Sequence, residues 1–431
     1  MNWFEKNDIF TYELDGQLIL YSPVARKYAV AAREHIDEFL SCGKYNEVFG
    51  PLADYVPVGK QRKVRNPEDY TLLTVLPNNV CNFNCSYCYS AAGRNQAVLD
   101  IERLTGGIDF FFDSKPADFN RPLTISYMGG GEPMLSWGLV KESIEYAEKK
   151  ALAGGKRLNI RIITNGSVLN EDIVCFLKEK RVEVSVSFEI LEEVQNAQRK
   201  HYPLVKENIR KLIDSGIPVQ INSTITPSNV MRMTEMMDIL IADFPEVRSA
   251  MFEPVTAQEL FESAESMNAF YDEYRKGFIA ARKIGDSNDI DIISFAYLRT
   301  IFPIDRACPG EYCITAEGFI TGCYCVATQQ EPLFKHTCYG IIDENGVKFD
   351  RDKFDTLLSH NVHSKEKCAT CKVKWNCGGG CFHQFNSYEE EYRNEVCNFT
   401  ESFVEDLVKY KVEKLMKQYD MNMPICLSEQ F

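Results

Sequence analysis

Positive charge is scarce in this sequence, and so are the signals that direct a chain to a membrane. The chain has 48 lysines and arginines against 62 aspartates and glutamates, a formal net charge of −14, so a phosphate backbone would repel it on average. The first residues, MNWFEKNDIF, show neither a basic n-region nor an apolar h-region, and no apolar run is long enough for a membrane span. We therefore expect a cytoplasmic protein that binds neither nucleic acid nor a membrane.

Histidine is scarce as well, whereas cysteine is abundant. Six histidines and 16 cysteines occur in 431 residues, of which 45% are hydrophobic and 26% charged. This composition is typical of a folded protein with a large core and room for at least one further module. Because cytoplasmic thiols stay reduced, the cysteines are interpreted as metal ligands or catalytic groups rather than as disulfides.

A long segment with almost no cysteine alternates between short β-rich runs and longer amphipathic stretches with helical spacing. Strand followed by helix, six times over, predicts parallel strands with crossover helices that close wholly or partly into a barrel. We therefore expect an α/β fold: a partial (β/α)6 TIM-like barrel at 71–256, a small α+β segment at 1–70, a helical bridge at 257–300, a cysteine-rich domain at 301–400 and a terminal helix at 401–431. The six predicted strands are 71–77, 122–128, 158–164, 182–188, 217–225 and 247–255.

The stretch NNVCNFNCSYCYS places three cysteines, Cys81, Cys85 and Cys88, on a loop directly after the first predicted strand. Three is too few for a structural zinc site, which takes four protein ligands. A four-iron cluster normally takes four thiolates, and with three it keeps one iron open for another ligand. The alternative is a zinc knuckle that borrows a distant ligand, but no histidine lies within about forty residues of the loop.

The spacing of these cysteines resembles that of the radical S-adenosylmethionine (SAM) superfamily. The resemblance implies that Cys81, Cys85 and Cys88 hold a [4Fe–4S] cluster whose open iron is chelated by the amino and carboxylate groups of SAM. Tyr87 would contact the adenine. An electron from the cluster would cleave SAM, and the resulting 5′-deoxyadenosyl radical would abstract a hydrogen atom.

Three further stretches resemble SAM-binding motifs of that superfamily. MGGGEP would bring the backbone at Gly130 and Gly131 close to SAM and place Glu132 near its amino group. Ser187 and Arg199 would hold the ribose and carboxylate, although Glu189 and Ile190 replace the usual Asp-Gly between them. Asn165, in TNG, follows a third strand. Each stretch also has an ordinary interpretation: a tight glycine turn, an Asn-Gly turn, or a solvated charge at Arg199.

The later cysteines resemble the SPASM extension of radical SAM enzymes that modify peptides and proteins. Nine residues separate Cys308 from Gly318, and four separate Gly318 from Cys323; CATCKVKWNCGGGC and Cys397 complete a set of seven. The resemblance implies two auxiliary [4Fe–4S] clusters, an outer one on Cys368, Cys371, Cys377 and Cys397 and an inner one on Cys308, Cys323 and Cys381. The alternative interpretation of the CxxC pairs is zinc.

The inner cluster lacks an evident fourth ligand. Cys313, Cys325 and Cys338 are the nearby candidates, and Cys313 is preferred because it can turn back beside Cys308. Cys325 would share a strand face with Cys323. The remaining interpretation leaves that iron open for a substrate thiolate.

Three functions compete. The leading hypothesis is a peptide maturase with three [4Fe–4S] clusters and SAM, which crosslinks a ribosomally made precursor peptide and takes electrons from a flavodoxin- or ferredoxin-type donor. Residues 1–70 would bind the leader of that peptide or cap the barrel. The second is an anaerobic sulfatase-maturing enzyme, but Tyr324 stands where that subfamily has an aspartate. The third is an iron–sulfur electron carrier, which has no use for an open three-cysteine site. No catalytic side chain and no bond type can be named from the sequence.

Overall fold

The computed structural model describes residues 3–42, 45–53, 64–308, 310–419 and 426–428. The strands are β1 (Phe10–Leu14), β2 (Gln17–Ser22), β3 (Lys27–Ala32), β4 (Leu72–Val75), β5 (Leu123–Tyr127), β6 (Leu158–Thr164), β7 (Glu183–Ser187), β8 (Val219–Ile225), β9 (Ser249–Pro254), β10 (Asp291–Ile293), β11 (Tyr312–Ile314), β12 (Phe319–Thr321), β13 (Cys338–Asp343), β14 (Gly346–Phe349) and β15 (Cys426–Ser428).

The helices are α1 (Trp3–Lys6), α2 (Arg33–Cys42), α3 (Tyr45–Ala53), α4 (Ile101–Asp113), α5 (Trp137–Ala153), α6 (Glu171–Glu179), α7 (Glu192–Gln198), α8 (Tyr202–Asp214), α9 (Met233–Asp243), α10 (Ala264–Asp286), α11 (Phe295–Ile301), α12 (Phe334–Thr337), α13 (Arg351–Leu358), α14 (Glu366–Ala369), α15 (Lys374–Cys377), α16 (Phe382–Ser387) and α17 (Glu390–Tyr419).

The six predicted barrel strands are confirmed as β4 to β9, and each is parallel to the next. The crossover helices cover one face of this sheet with apolar side chains at helical spacing, as in α8, where Val205, Ile209 and Leu212 are buried. Because the strands are parallel and consecutive, their carboxyl ends lie along one edge. The loops that follow them can therefore form a single site.

The sheet continues beyond the barrel on both sides. β10 pairs in parallel with β9, and β11 pairs in parallel with β4 before β12, β13 and β14 follow antiparallel. The cysteine-rich segment 301–400 thus contributes four strands to the sheet that carries the barrel. The segment 257–300 contains β10 as well as helix, because Ile292 packs fully buried beside β9. A strand of three residues is too short to show an alternating pattern.

Within the predicted α+β segment at the amino terminus, β1 and β2 form a hairpin. Asp15 and Gly16 have φ values of 47° and 79°, and Leu14 pairs with Gln17. Positive φ at both turn positions is typical of the type I′ turn that Asp-Gly favours. β3 and β15 complete a small sheet in the order β1-β2-β3-β15.

Helix α17 packs against two parts of the molecule, helix α10 and the small sheet. The terminal helix was predicted from residue 401 but begins at Glu390, and it packs on α10, with the ring centroids of Phe399 and Tyr271 stacked 4.2 Å apart. Its other face packs against the small sheet, where Tyr12, Tyr21 and Val408 share one buried cluster. Although α10 and α17 are long, no helix within the described ranges is long and apolar enough to cross a bilayer.

Candidate active site

The three-cysteine loop follows β4 at the carboxyl edge of the sheet. Cys81, Cys85 and Cys88 are all partly accessible and lie within electrostatic reach of one another. Burial raises the pKa of Cys85, and the nearby Arg199 guanidinium opposes that rise. The loop therefore gathers three thiols beside a positive charge that partly offsets the effect of burial.

A second guanidinium contacts this loop, and it was not identified from the sequence. Arg94 donates from Nη2 to Cys88 Sγ at 3.3 Å and from Nη1 to the carbonyl of Phe83. It thus spans the loop, holding its backbone and one of its sulfurs. The only signal in the sequence is an arginine six residues after the last cysteine of the loop, and nothing local shows that the chain turns back there.

The glycine run after β5 fits tightly against the cysteine loop. A Cβ on Gly131 would come within 2.0 Å of the Val80 carbonyl oxygen, and one on Gly130 within 2.8 Å of the Asn78 carbonyl oxygen. Gly130 also has a φ of 64°. Glycine is required here because two backbone segments meet, and this contact places the loop after β5 beside the cysteines.

Glu132 is 2% exposed and its carboxylate is fully engaged. It accepts hydrogen bonds from Thr164 Oγ1 at 2.6 Å, Asn165 N at 2.7 Å and Met134 N at 3.0 Å. Burial raises the pKa of Glu132, and these donors oppose the rise. The carboxylate thus ties the glycine loop to the end of β6.

Asn165 extends the same network to the cysteines. Its Nδ2 lies 3.0 Å from Asn82 Oδ1 and 3.9 Å from Cys81 Sγ. Its side-chain oxygen accepts from Ser167 N at 2.9 Å. The TNG stretch therefore contacts the cysteine loop directly, in addition to forming a turn.

A buried cluster of Tyr87, Glu189 and Arg199 stands beside Cys85. The Tyr87 hydroxyl donates to Glu189 and receives a hydrogen bond of 2.9 Å from Arg199 Nη1. Glu189 is 0% exposed and also accepts from Ser223 Oγ and Thr224 N at 3.0 Å. Burial raises the pKa of Glu189, and Arg199 opposes the rise. Arg199 is thus a buried partner in this network, which excludes a solvated surface charge.

The turn after β7 contains a residue other than glycine in the left-handed backbone conformation. Ile190 stands there with a φ of 68° and no exposure. A branched residue in this region costs about 1–2 kcal/mol of backbone strain, which is offset by burying its side chain. Ser187, the last residue of β7, is half-buried at the same edge of the sheet. Replacing Asp-Gly by Glu-Ile therefore preserves the turn and gives Glu189 its buried position.

The later cysteines form two groups in space. Cys308, Cys323 and Cys381 lie within electrostatic reach of one another, and burial is the main cause of the raised pKa of Cys308. Cys368, Cys371, Cys377 and Cys397 form the second group, and burial raises the pKa of Cys377 to about 11. These are the inner and outer sets that the spacing pattern implied. Cys397 reaches the outer set from α17.

Lys365 lies between the two groups. Its ammonium donates to the carbonyl of Gly379 in the glycine turn between Cys377 and Cys381, and it sits 3.8 Å from the centre of the Phe385 ring. Burial lowers the pKa of Lys365, and the surrounding cysteines oppose that shift. Lys365 thus lies within electrostatic reach of cysteines from both groups, as does Arg299.

The loop and the two later groups consist of cysteine thiols, partly accessible except for the exposed Cys397. Such groups fit [4Fe–4S] clusters, in which each cysteine thiolate binds a different iron. The loop and the two later groups would each hold one cluster through these thiols.

Comparison with known proteins identifies the class. Residues 75–240 match the Radical SAM superfamily. This span runs from the end of β4 to helix α9 and contains the cysteine loop, the glycine loop and the Glu189 cluster. The chain therefore carries a radical SAM domain, whose members bind a [4Fe–4S] cluster and SAM.

Individual relatives share only low sequence identity with the chain. The chain is 22% identical to the sporulation killing factor maturation protein SkfB of Bacillus subtilis (strain 168) over 293 residues, 64% of this chain and 62% of SkfB. The chain spans between 29% and 62% of the length of the curated relatives it matches.

Solved structures share the fold over most of the chain. Native anSMEcpe with bound AdoMet has a TM-score of 0.64 at 17% identity, covering 81% of this chain and 99% of that one. Streptococcus suis SuiB bound to precursor peptide SuiA has a TM-score of 0.53 at 14% identity, covering 90% and 97%. At these identities the likeness concerns the fold.

Proposed function

We propose that this chain is a radical SAM maturase that modifies, by crosslinking, a ribosomally synthesised peptide with the help of three [4Fe–4S] clusters. The observation that carries the proposal is a three-cysteine loop at the carboxyl edge of a barrel, in a chain that also gathers two further cysteine groups. When bound, the loop cluster and SAM together supply a 5′-deoxyadenosyl radical that abstracts a hydrogen atom from the substrate.

The side chains at the carboxyl edge would hold SAM in distinct ways. Arg199 offers a buried positive charge for its carboxylate, and Ser187 offers a hydroxyl at the strand end. The Tyr87 hydroxyl is held by Glu189 and Arg199, so its ring is the part left to contact the adenine. Glu132 and Asn165 fix the glycine and TNG loops against the cysteines, which pre-organises the site.

A peptide is the substrate class that the arrangement favours. Fixing a flexible peptide costs roughly 1–2 kcal/mol per backbone residue, and contacts with a leader segment far from the reacting atoms can offset that cost. The small sheet β1-β2-β3 at residues 1–70 supplies a second module for such contacts. Support comes from the SuiB structure with its precursor peptide and from the maturation role in the name of SkfB. An external flavodoxin- or ferredoxin-type donor would supply electrons.

Reductive cleavage of SAM tests the radical activity. Anaerobically reconstituted, reduced protein should convert SAM to 5′-deoxyadenosine and methionine even without peptide. The Cys85→Ala variant should lose this conversion while the absorbance of the other two clusters persists. Cys175→Ala is the matched control, because Cys175 is exposed on α6 and should leave the rate unchanged. Retained cleavage in Cys85→Ala would overturn the assignment of the loop.

The product distinguishes crosslinking from formylglycine formation. With the precursor peptide, the product should weigh about two mass units less, because a crosslink removes two hydrogens. Formylglycine made from serine gives the same loss, so tandem fragmentation decides. A crosslink suppresses backbone cleavage between the joined residues. A product that reacts with hydrazines and gives an uninterrupted fragment series would instead show sulfatase-type maturation.

A further inference from the structure

We propose that Cys325 is the fourth thiolate ligand of the inner auxiliary cluster, which is therefore closed to substrate. This inference rests on the proposed function in one respect only: that Cys308, Cys323 and Cys381 hold a cluster. The inference selects one of the three cysteines that the sequence analysis gave as candidates. It also decides whether the inner cluster transfers electrons or binds substrate.

Cys325 is in direct contact with the inner group. Its thiol lies close enough to that of Cys323 to interact with it, and it lies within electrostatic reach of Cys381. The two cysteines occupy a tight turn after β12, closed by a hydrogen bond of 3.1 Å from Val326 N to the Cys323 carbonyl. The expectation of a shared strand face was wrong, because β12 ends at Thr321. The turn brings the two sulfurs together instead.

Tyr324, the residue between Cys323 and Cys325, points in a different direction from the two sulfurs. Tyr324 packs edge-on against Tyr89 of the cysteine loop, with ring centroids 5.8 Å apart. The turn thus presents two sulfurs to the inner group and a ring toward the SAM-binding loop. Like Cys308, Cys323 and Cys381, Cys325 is partly accessible, as a residue that binds an added group must be. A change of the Cys325 rotamer would separate its sulfur from that of Cys323 without moving the backbone.

Cys313, which the sequence analysis preferred, is placed differently. It lies in the middle of β11, hydrogen-bonded in the sheet between β4 and β12, and is 0% exposed. Its side chain packs with Leu76 and Ala327 and contacts the Thr321 hydroxyl. Reaching a cluster would require Cys313 to leave this apolar site, whereas Cys325 needs no backbone movement.

Cys338 is also less suited. It begins β13, its Sγ lies 3.6 Å from the Gly340 carbonyl oxygen, and its charged neighbours are Lys353 and Asp350. Of the three candidates, Cys325 is thus the one whose sulfur meets two members of the inner group. With it bound as a thiolate, all four irons carry protein ligands, so the inner cluster can accept and pass electrons but offers no open position to a peptide.

Three single variants of the full chain test this choice: Cys325→Ala, Cys313→Ala and Cys338→Ala. Each is reconstituted anaerobically and compared with wild type for iron content and for Mössbauer and EPR spectra. We expect Cys325→Ala either to lose about a third of the iron or to keep a cluster with one distinct iron, whose EPR signal shifts when imidazole is added. Cys313→Ala and Cys338→Ala should keep the wild-type iron content and signals.

Two outcomes would overturn the inference. A Cys325→Ala protein with wild-type iron, wild-type spectra and no response to imidazole would show that Cys325 is not a ligand. A loss confined to Cys313→Ala or Cys338→Ala would assign the ligand elsewhere. Cys325→Ser, together with circular dichroism, checks that a loss of iron is not a loss of fold. If wild type itself held only one cluster, the proposed auxiliary clusters would fail as well, so the two failures are distinguishable.

Discussion

The three-cysteine loop and the outer cysteine group are positioned by different kinds of contact. Charged and polar groups surround the loop, above all the buried pair Arg199 and Glu189 and the partly buried Arg94. The outer group depends on the small amino-terminal sheet: Asp8 accepts from Trp375 Nε1 at 2.8 Å and pairs with Lys374 at 2.7 Å, and both partners lie in α15, which ends at an outer cysteine. A buried ion pair thus stands beside the loop, whereas contacts between α15 and the amino-terminal segment hold the outer group.

The largest expected effect on the free energy of unfolding comes from breaking the buried pair of Arg199 and Glu189 beside the loop. Arg199→Gln should lower the free energy of unfolding by about 3–5 kcal/mol, because it leaves the Glu189 carboxylate buried without its cation. Replacing both residues by glutamine should recover part of this loss, since no unpaired charge remains. Urea unfolding under anaerobic conditions measures each change.

An exposed pair provides the control for that experiment. Glu183 and Arg161 lie 3.0 Å apart with half-exposed side chains, so Glu183→Gln should cost no more than about 1 kcal/mol. Equal losses in Glu183→Gln and Arg199→Gln would contradict the view that burial of the pair matters.

A smaller effect is expected at the outer group. Asp8→Ala should destabilise the protein by about 1–3 kcal/mol, because the Trp375 N–H and the Lys374 ammonium lose their acceptor. Iron should be lost from the outer group alone, while SAM cleavage without peptide persists. Iron analysis and product chromatography measure the two effects separately. Glu13→Gln, in the exposed pair with Arg33 of the same module, is the control; loss of SAM cleavage in Asp8→Ala would erase the distinction between the regions.

The smallest expected effect concerns the reduction potential of the loop cluster. Arg94→Gln should lower it by roughly 30–60 mV, about 1 kcal/mol for a one-electron couple, because a cation beside Cys88 favours the reduced, more negative cluster. An EPR-monitored redox titration provides the value. Arg103→Gln serves as the control, since Arg103 donates to the Glu317 carbonyl. An unchanged reduction potential in Arg94→Gln would show that Arg94 does not tune the potential of the loop cluster.

Much of the fold could be predicted from the sequence because local patterns encode it. Strands such as β8 bury every second residue, and helices such as α8 bury residues at i, i+4 and i+7, so period alone locates them. The Asp-Gly sequence favours the turn that joins the two strands of the hairpin. The resemblance of the cysteine spacings to radical SAM and SPASM motifs implied which cysteines belong together, and the structure brings the same sets within electrostatic reach.

What the sequence did not show depends on contacts between distant segments. Arg94 meets Cys88 because the chain turns back after the loop, and Asp8 meets Trp375 across more than three hundred residues. The choice of Cys325 over Cys313 turns on where β12 ends and on what covers β11, neither of which a spacing reveals. Ile190 holds a position where glycine is ordinarily required, since burial of its side chain outweighs the strain.

Metal analysis of the protein purified without oxygen tests the central claim most directly. Three filled sites predict about twelve irons per chain with matching sulfide, four per cubane. Replacing Cys81, Cys85 and Cys88 together by alanine should remove about a third of that iron and leave the spectra of the auxiliary clusters in place. A chain that instead carries substantial zinc and little iron would contradict the assignment of all three cysteine groups.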